Sequence, residues 1–86
     1  MIAIKHWSVD VLIGEIDDRT HAEARLHTDD MHLRGTGDAR LSPHDNAVPA
    51  IGDELAAARA LADLGHQLLQ AAAADIHRGP AGIHGR

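Results

Sequence analysis

The sequence contains no cysteine, no phenylalanine and no tyrosine, and Trp7 is its only large aromatic side chain. Without cysteine the chain can form neither disulfides nor thiolate zinc sites, a composition that fits a reducing cytoplasm. A core without aromatic bulk must be built from Val, Leu, Ile and Ala, which gain about 25 cal/mol per Å² of buried apolar area. A chain of 86 residues forms one domain. Because so small a domain buries only roughly 60–65% of its unfolded surface, either a long helix packs efficiently on a sheet or a partner chain covers what remains.

Positive charge and long apolar segments are also scarce. Lysine and arginine number 8 against 13 acidic residues, and the formal net charge is −5. An acidic domain repels phosphate backbones unless its bases cluster on one face, which argues against nucleic acid as a partner. No apolar run approaches the ~20 residues that span a bilayer, and the N-terminus lacks the pattern of a secretory signal. We therefore expect a soluble, cytoplasmic protein with no membrane partner.

Three segments alternate between apolar and polar residues with the period of a half-buried β-strand. They cover residues 5–14, 19–28 and 32–41. In the third segment Gly35 and Gly37 occupy inward positions, where the missing side chains allow another element to approach closely. Turn-forming residues at 14–18 and 28–31 join the segments. The pattern predicts a three-stranded antiparallel meander.

A single long helix is predicted over residues 50–77, after a proline-containing connection at 41–49. Its apolar positions recur with a period near 3.6 residues, which is typical of a helix that packs along one side. Gly65 lies among these apolar positions, which indicates a close packing contact. We expect the helix to lie across one face of the sheet and to leave the opposite face open.

The predicted fold class is therefore α+β: a three-stranded antiparallel β-meander with one long C-terminal helix on one face. The single β-β-β-α domain is predicted to occupy residues 1–78. Residues 79–86, with three glycines and a proline, are predicted to form a flexible C-terminal tail.

Three segments carry a resemblance to a known family. They are WSVDVLIGE at 7–15, RTHAEARLH at 19–27 and VPAIGDELAAARALADL at 48–64. Over roughly residues 5–78 the chain resembles a small actinobacterial family of unknown function with a double-stranded-RNA-binding-domain-like fold. The resemblance implies a β-β-β-α fold without the first helix of that domain, and it implies no activity, because fold alone does not fix function.

The fold label leaves RNA binding as an alternative function. In the RNA-binding fold, lysines at the N-terminus of the last helix contact phosphates. The matching positions here hold Gly52, Asp53 and Glu54, and carboxylates at a helix N-terminus repel phosphate. The resemblance therefore does not by itself support nucleic-acid binding.

Histidine is unusually frequent, with eight residues in the chain. If Trp7 lies opposite Leu26, the outward-facing His6, His27 and His32 form one row across the sheet. Such a row could bind a transition metal or respond to pH near neutrality. It could equally consist of hydrated polar residues, and this is what we expect, because no carboxylate clearly completes the set.

No pattern in the sequence indicates catalysis or a cofactor. The paired acids occur at predicted turns and at the helix start, where Asp is favoured structurally, and no serine has a supporting His–Asp arrangement. Leu12, Arg25 and Arg34 face outward on the open side of the sheet and are the candidate interaction residues. We predict a non-enzymatic interaction or accessory domain whose partner is unknown, with self-association as one option.

Overall fold

A computed structural model describes residues 2–40 and 49–78 of the chain. The elements are β1 (Ser8–Ile16), β2 (Arg19–His27), β3 (His32–Arg40) and α1 (Pro49–Arg78). The strands form one antiparallel sheet in the order β1-β2-β3. The predicted α+β fold with a three-stranded meander and one C-terminal helix is confirmed. The predicted connection at 41–48 and the predicted tail at 79–86 lie outside the described residues.

The turn between β1 and β2 is shorter than predicted and changes the register of these strands. Asp17 has a φ of 56°, in the left-handed region that Asp tolerates better than most residues. A turn of only two residues then pairs Ile16 with Arg19 and places Val9 opposite Leu26. The predicted pairing of Trp7 with Leu26 is wrong by two residues. Because the shift is even, every side chain stays on its predicted face.

The second turn fixes the register between β2 and β3 as predicted, with Leu26 opposite Leu33. The Thr28 side chain organises this turn: its Oγ1 accepts hydrogen bonds from the backbone N–H groups of Asp30 and Met31, at 3.2 and 3.1 Å. The Thr28 N–H donates to the Met31 carbonyl at 2.9 Å. Such side-chain-to-backbone bonds are the reason that Thr and Asp favour turns.

The core lies between α1 and the inner faces of β2 and β3, and it consists mainly of alanine. Its buried apolar members are Ala22, Ala24, Leu26, Ala39, Ala56, Ala60 and Leu64. The predicted close approach at the two β3 glycines is confirmed. A methyl group at Gly35 would lie 2.9 Å from Leu64 Cα, and one at Gly37 would lie 2.6 Å from Arg59 Cβ.

The helix covers less of the sheet than predicted. It packs on β3 and β2 and barely touches β1, whose nine residues are all exposed. The reason is packing depth: the helix backbone rests directly on the small residues of β2 and β3, so it cannot also lie across the bulkier side chains of β1. The packing contact predicted for Gly65 is also wrong, since a Cβ there would come within 4 Å of no described atom outside its own turns of helix.

Helix α1 is longer than the sheet that it covers. Its 30 residues span about 45 Å at about 1.5 Å per residue, whereas a strand of nine residues spans about 30 Å. The last turns therefore project past the sheet, and Ile76 in this part is 76% exposed. Within the described ranges, this helix has no segment apolar and long enough to cross a membrane.

Candidate interaction surface

The interaction residues predicted on the outer face lie around the carboxylate of Glu23. Arg25 donates two hydrogen bonds to Glu23, at 3.1 and 2.6 Å, and the Arg34 guanidinium lies 3.6 Å from the same carboxylate. Leu12 lies directly opposite Glu23 on β1. The hydrogen bond from Arg25 is the main reason that the pKa of Glu23 is lowered below its ordinary value. The two arginines are thus paired with an acid on their own sheet.

The rest of the outer face follows the same pattern of paired charges. His21 Nδ1 lies 2.8 Å from the Asp38 carboxylate, and Arg40 donates to Asp18 at 3.2 Å. These side chains also line a shallow depression beside the first turn. Because acids lie among the bases on this face, a phosphate backbone would meet carboxylates beside Arg25, Arg34 and Arg40. The geometry therefore gives the RNA-binding alternative no support.

The predicted row of three histidines is reduced to a pair. His27 and His32 lie opposite each other on β2 and β3, with 2.6 Å between their Nδ1 atoms. Their rings meet edge to face, with centroids 4.6 Å apart. The residue beside His27 on β1 is Ser8, because the register is shifted, and His6 lies in the segment before β1. At this distance the N–H of one imidazole can donate to the Nδ1 atom of the other, so each histidine is the hydrogen-bond partner of the other.

A chemical centre is not evident in the part of the chain that the structure describes. Over residues 2–40 and 49–78, no three His, Asp or Glu side chains are grouped as a metal ion requires. The absence of catalytic, cofactor and metal sites stays a prediction.

One edge of the sheet is closed by side chains of the helix. The Thr36 N–H donates to Asp63 Oδ2 at 2.9 Å, and Gln67 Nε2 donates to the Arg34 carbonyl at 2.7 Å. Arg59 donates to the Asp38 carbonyl at 2.6 Å. These bonds occupy backbone groups that point away from β2. The outer edge of β3 is therefore protected against pairing with another strand.

The other edge of the sheet, formed by β1, is open. In an antiparallel sheet, successive residues of a strand direct their backbone groups alternately to the two sides. The register between the strands therefore determines which residues of β1 bond to β2. By this alternation, Val9, Val11 and Ile13 direct their backbone N–H and C=O groups away from the sheet. Their side chains share the inner face with the core, since they lie opposite Leu26, Ala24 and Ala22.

Exposed apolar side chains occupy the inner side of β1, the flank of α1 above it and the side of α1 that points away from the sheet. We call this set the β1–α1 surface. Seven side chains define it, each 39% to 51% exposed: Trp7, Val9, Val11, Ile13, Ile51, Leu55 and Leu61. The side chains of β1 form its floor. At about 100° per residue, Leu61 and Asp63 lie on opposite flanks of α1, and Asp63 reaches the β3 edge. Leu61 therefore stands over β1 and forms the wall.

Sequence reasoning missed this surface, although a signal for it was present. The alternation correctly placed the apolar residues of β1 on the inner face, but it was taken to mean that the helix buries them. The signal is the distribution of residue sizes. Inward positions on β2 and β3 hold mostly Ala and Gly, whereas those on β1 hold Val and Ile. A helix that rests on small residues cannot lie equally close to large ones.

Acidic side chains mark one end of the β1–α1 surface. Glu15 at the end of β1 meets Asp53 in α1, and hydrogen bonding to Asp53 is the largest cause of a pKa for Glu15 above its ordinary 4.5. The negative charge of Asp53 and partial burial raise this pKa further. Asp53 Oδ1 is buried and lacks a hydrogen-bond partner within the described residues.

Replacing Glu15 with glutamine should stabilise the domain at neutral pH. A carboxyl group with a raised pKa in the folded state disfavours folding once it ionises. The unfavourable contribution is therefore present above the folded pKa and disappears as the pH falls below 4.5. We expect Glu15→Gln to melt at a higher temperature than the parent at pH 7 and at nearly the same temperature at low pH. Glu54→Gln is the control, and a Glu15→Gln variant that melts lower than the parent at pH 7 would contradict the assignment.

Fold and surface together define the class: a small α+β domain whose helix covers only two of its three strands. Comparison with known proteins gives the family. The model of the Rv2632c-like family matches residues 5–83. The chain therefore belongs to this family, a small actinobacterial family of unknown function. The family resemblance seen in the sequence is confirmed, whereas the likeness to the double-stranded-RNA-binding domain is not and stays a prediction.

Mycobacterial relatives and one solved structure are similar over most of the chain. The chain is 48% identical over 84 residues to "Uncharacterized protein Rv2632c" of Mycobacterium tuberculosis, covering 93% of this chain and 90% of that protein. It is 49% identical over 73 residues to "Uncharacterized protein Mb1767" of Mycobacterium bovis, covering 85% and 78%. The crystal structure of Rv2632c matches with a TM-score of 0.85 and 46% identity, over 93% of this chain and 95% of that chain.

Proposed function

We propose that the chain is a non-enzymatic protein-interaction domain that binds its partner through the β1–α1 surface. The observation that carries the proposal is the exposure of seven apolar side chains on α1, on β1 and just before it, each 39% to 51% exposed. Single apolar residues are ordinary on protein surfaces, but a concentration of them on neighbouring elements marks an interaction site. The proposal includes a cytoplasmic location, which the cysteine-free sequence supports.

The size of the patch supports the proposal. Side chains exposed to this degree leave on the order of 500 Å² of apolar area, and the largest patch on a typical monomer covers about 300–600 Å² and is often functional. The open edge of β1 adjoins the same patch, so that a partner could bond to its backbone groups as well.

The outer face is the less favourable binding surface. Arg25 and Arg34 are already paired with Glu23, so a partner would have to replace these contacts. Leu12 and Ile16 are exposed there as separate apolar side chains among polar and charged ones. This proposal therefore places the interaction on the inner face of β1 and not on the outer face that was predicted from the sequence.

Photo-crosslinking at neighbouring positions tests the proposal, because Val11 and Leu12 point to opposite faces of β1. A photoreactive amino acid is placed at either position, and the chain is expressed at a low level in mycobacterial cells. We expect a discrete crosslinked product from position 11, containing a second copy or another protein, and little product from position 12. The absence of a product from position 11, or equal products from both, would refute the proposal.

A further inference from the structure

We infer that the partner on the β1–α1 surface is a second copy of this chain, related to the first by a two-fold axis. The inference rests on the proposed function and adds the identity of the occupant. In the arrangement that the surface favours, the two helices lie side by side in a central layer and the two sheets lie outside them. Each helix then packs on β2 and β3 of its own chain and on β1 of the other.

The exposed residues of one chain are complementary to each other, as a two-fold interface requires. The floor formed by Val9, Val11 and Ile13 lacks a helix above it. A second set of apolar residues, which we call the ridge, lies on the far side of α1. At about 100° per residue, Ile51, Leu55 and Leu69 lie about 140–180° around the helix from Ala60, which is buried against the sheet. The ridge therefore points away from its own sheet, and a two-fold axis places it on the floor of the second copy.

The area of the surface agrees with that of a stable dimer. About 500 Å² of apolar area, in an interface that is about 60% apolar, corresponds to roughly 800 Å² per copy, which is the standard size of a specific interface. The floor, Leu61 and the ridge carry no charge, and the acids Glu15, Asp53 and Glu54 lie together at one end. No buried ion pair is therefore needed to form this contact.

The flank of α1 above β1 permits the helices to approach each other closely. Leu61, Gly65 and Leu68 lie along this flank, with Glu54 at its N-terminal end. A Cβ at Gly65 would come within 4 Å of no described atom outside its own turns of helix. A glycine within a helix costs about 0.5–1 kcal/mol relative to alanine, and within one chain no contact offsets this cost. Facing glycines allow helix axes to pack near the short end of the usual 8–10 Å.

Pairing through the open edge of β1 is the other way for two copies to associate. It would join the two sheets into one with both helices on the same side. The ridge residues Ile51, Leu55 and Leu69 would then stay exposed, as they are in one chain. Packing of the faces covers the ridge and the floor together, and for this reason we favour it over edge pairing.

Sedimentation equilibrium on the full chain tests the inference with a closely matched pair of variants. We expect a mass of about 18.4 kDa, twice the 9.2 kDa of one chain. Leu61 and Leu12 are both leucines with 45% exposure, on opposite faces. Leu61→Glu should raise the dissociation constant at least about 100-fold, whereas Leu12→Glu should leave it unchanged.

Cysteine crosslinking provides a second measurement that does not depend on how Leu61→Glu folds, because the chain has no cysteine of its own. Gly65→Cys would place two thiols at the helix contact, and we expect rapid formation of an intermolecular disulfide, which needs Cα atoms within about 7 Å. His66→Cys places the thiol on the polar side of the helix and should stay reduced under the same conditions. Crosslinking through His66→Cys in preference to Gly65→Cys would overturn the arrangement.

A failure of this inference is distinguishable from a failure of the proposed function. A chain that stays monomeric at about 100 µM, a concentration at which even weak dimers form, would overturn the inference. If position 11 still crosslinks to a different protein in cells, the interaction function stands and only the occupant is wrong. Equal weakening of the dimer by Leu12→Glu and Leu61→Glu would also overturn the inference, because it would place the contact elsewhere.

Discussion

Replacing Gly35 with valine should strongly destabilise the domain. The Cβ at this position would lie 2.9 Å from Leu64 Cα, closer than side chains approach a backbone. The obstacle is the backbone of α1, which cannot rotate away, so the whole helix must lift from β2 and β3. Overpacking of a core typically costs about 1–3 kcal/mol, and we expect about 3 kcal/mol or more here because a backbone is displaced. Urea denaturation followed by circular dichroism measures the loss.

Gly14→Val is the matched control for this prediction. Gly14 is also a strand glycine, but a Cβ there meets nothing within 4 Å, and valine has a higher strand propensity than glycine. We expect Gly14→Val to be as stable as the parent or slightly more stable. If the two valine variants lose equal stability, the close contact between α1 and β3 is wrong.

Replacing Leu64 with aspartate should have the other large effect. Leu64 is only 3% exposed and belongs to the core. Truncation of a buried leucine costs about 2–5 kcal/mol, and a carboxylate without a partner in the same place adds an unfavourable desolvation term. Since small domains have only about 5–15 kcal/mol of total stability, we expect Leu64→Asp to show no cooperative thermal transition.

The control for this substitution is His66→Asp, two residues further along the helix. His66 is exposed on the polar side of α1, so the same new side chain meets water there. We expect a cooperative transition close to that of the parent. A Leu64→Asp variant that melts cooperatively at the parent temperature would show that this position does not face the sheet.

The order and type of the elements could be predicted because each one repeats a simple pattern. Alternation with a period of two residues extends through all three strands, and the predicted helix over 50–77 differs from α1 by one residue at each end. Gly35 and Gly37 also gave the correct prediction of a close approach by the helix. These features are local, since the side chains that decide them are neighbours in the sequence.

The register of β1 and the coverage of the sheet could not be predicted in the same way. The register depends on the conformation of a single residue, Asp17, whose positive φ shortens the first turn to two residues. Coverage depends on how deeply the helix packs, which is a property of two strands and a helix together. The alternation shows that Val11 faces inward, but it does not show that α1 is too far away to bury it.

The candidate site illustrates the same limit. The sequence predicted Leu12, Arg25 and Arg34 as interaction residues because they face outward on the open side of the sheet. The structure places both arginines beside Glu23, and it reveals the larger apolar surface on the opposite side of β1. Finding that surface from the sequence would have required the packing partner of each inward residue, which periodicity does not provide.

An isotope-filtered NOE experiment on an equal mixture of labelled and unlabelled chains tests the central claim most directly. The claim is that the inner face of β1, left uncovered by its own helix, is covered by a second copy. It predicts intermolecular contacts between the methyl groups of Val9, Val11 and Ile13 in one chain and those of Leu55 and Leu69 in the other. Contacts from these β1 methyl groups only to residues of the same chain would contradict it.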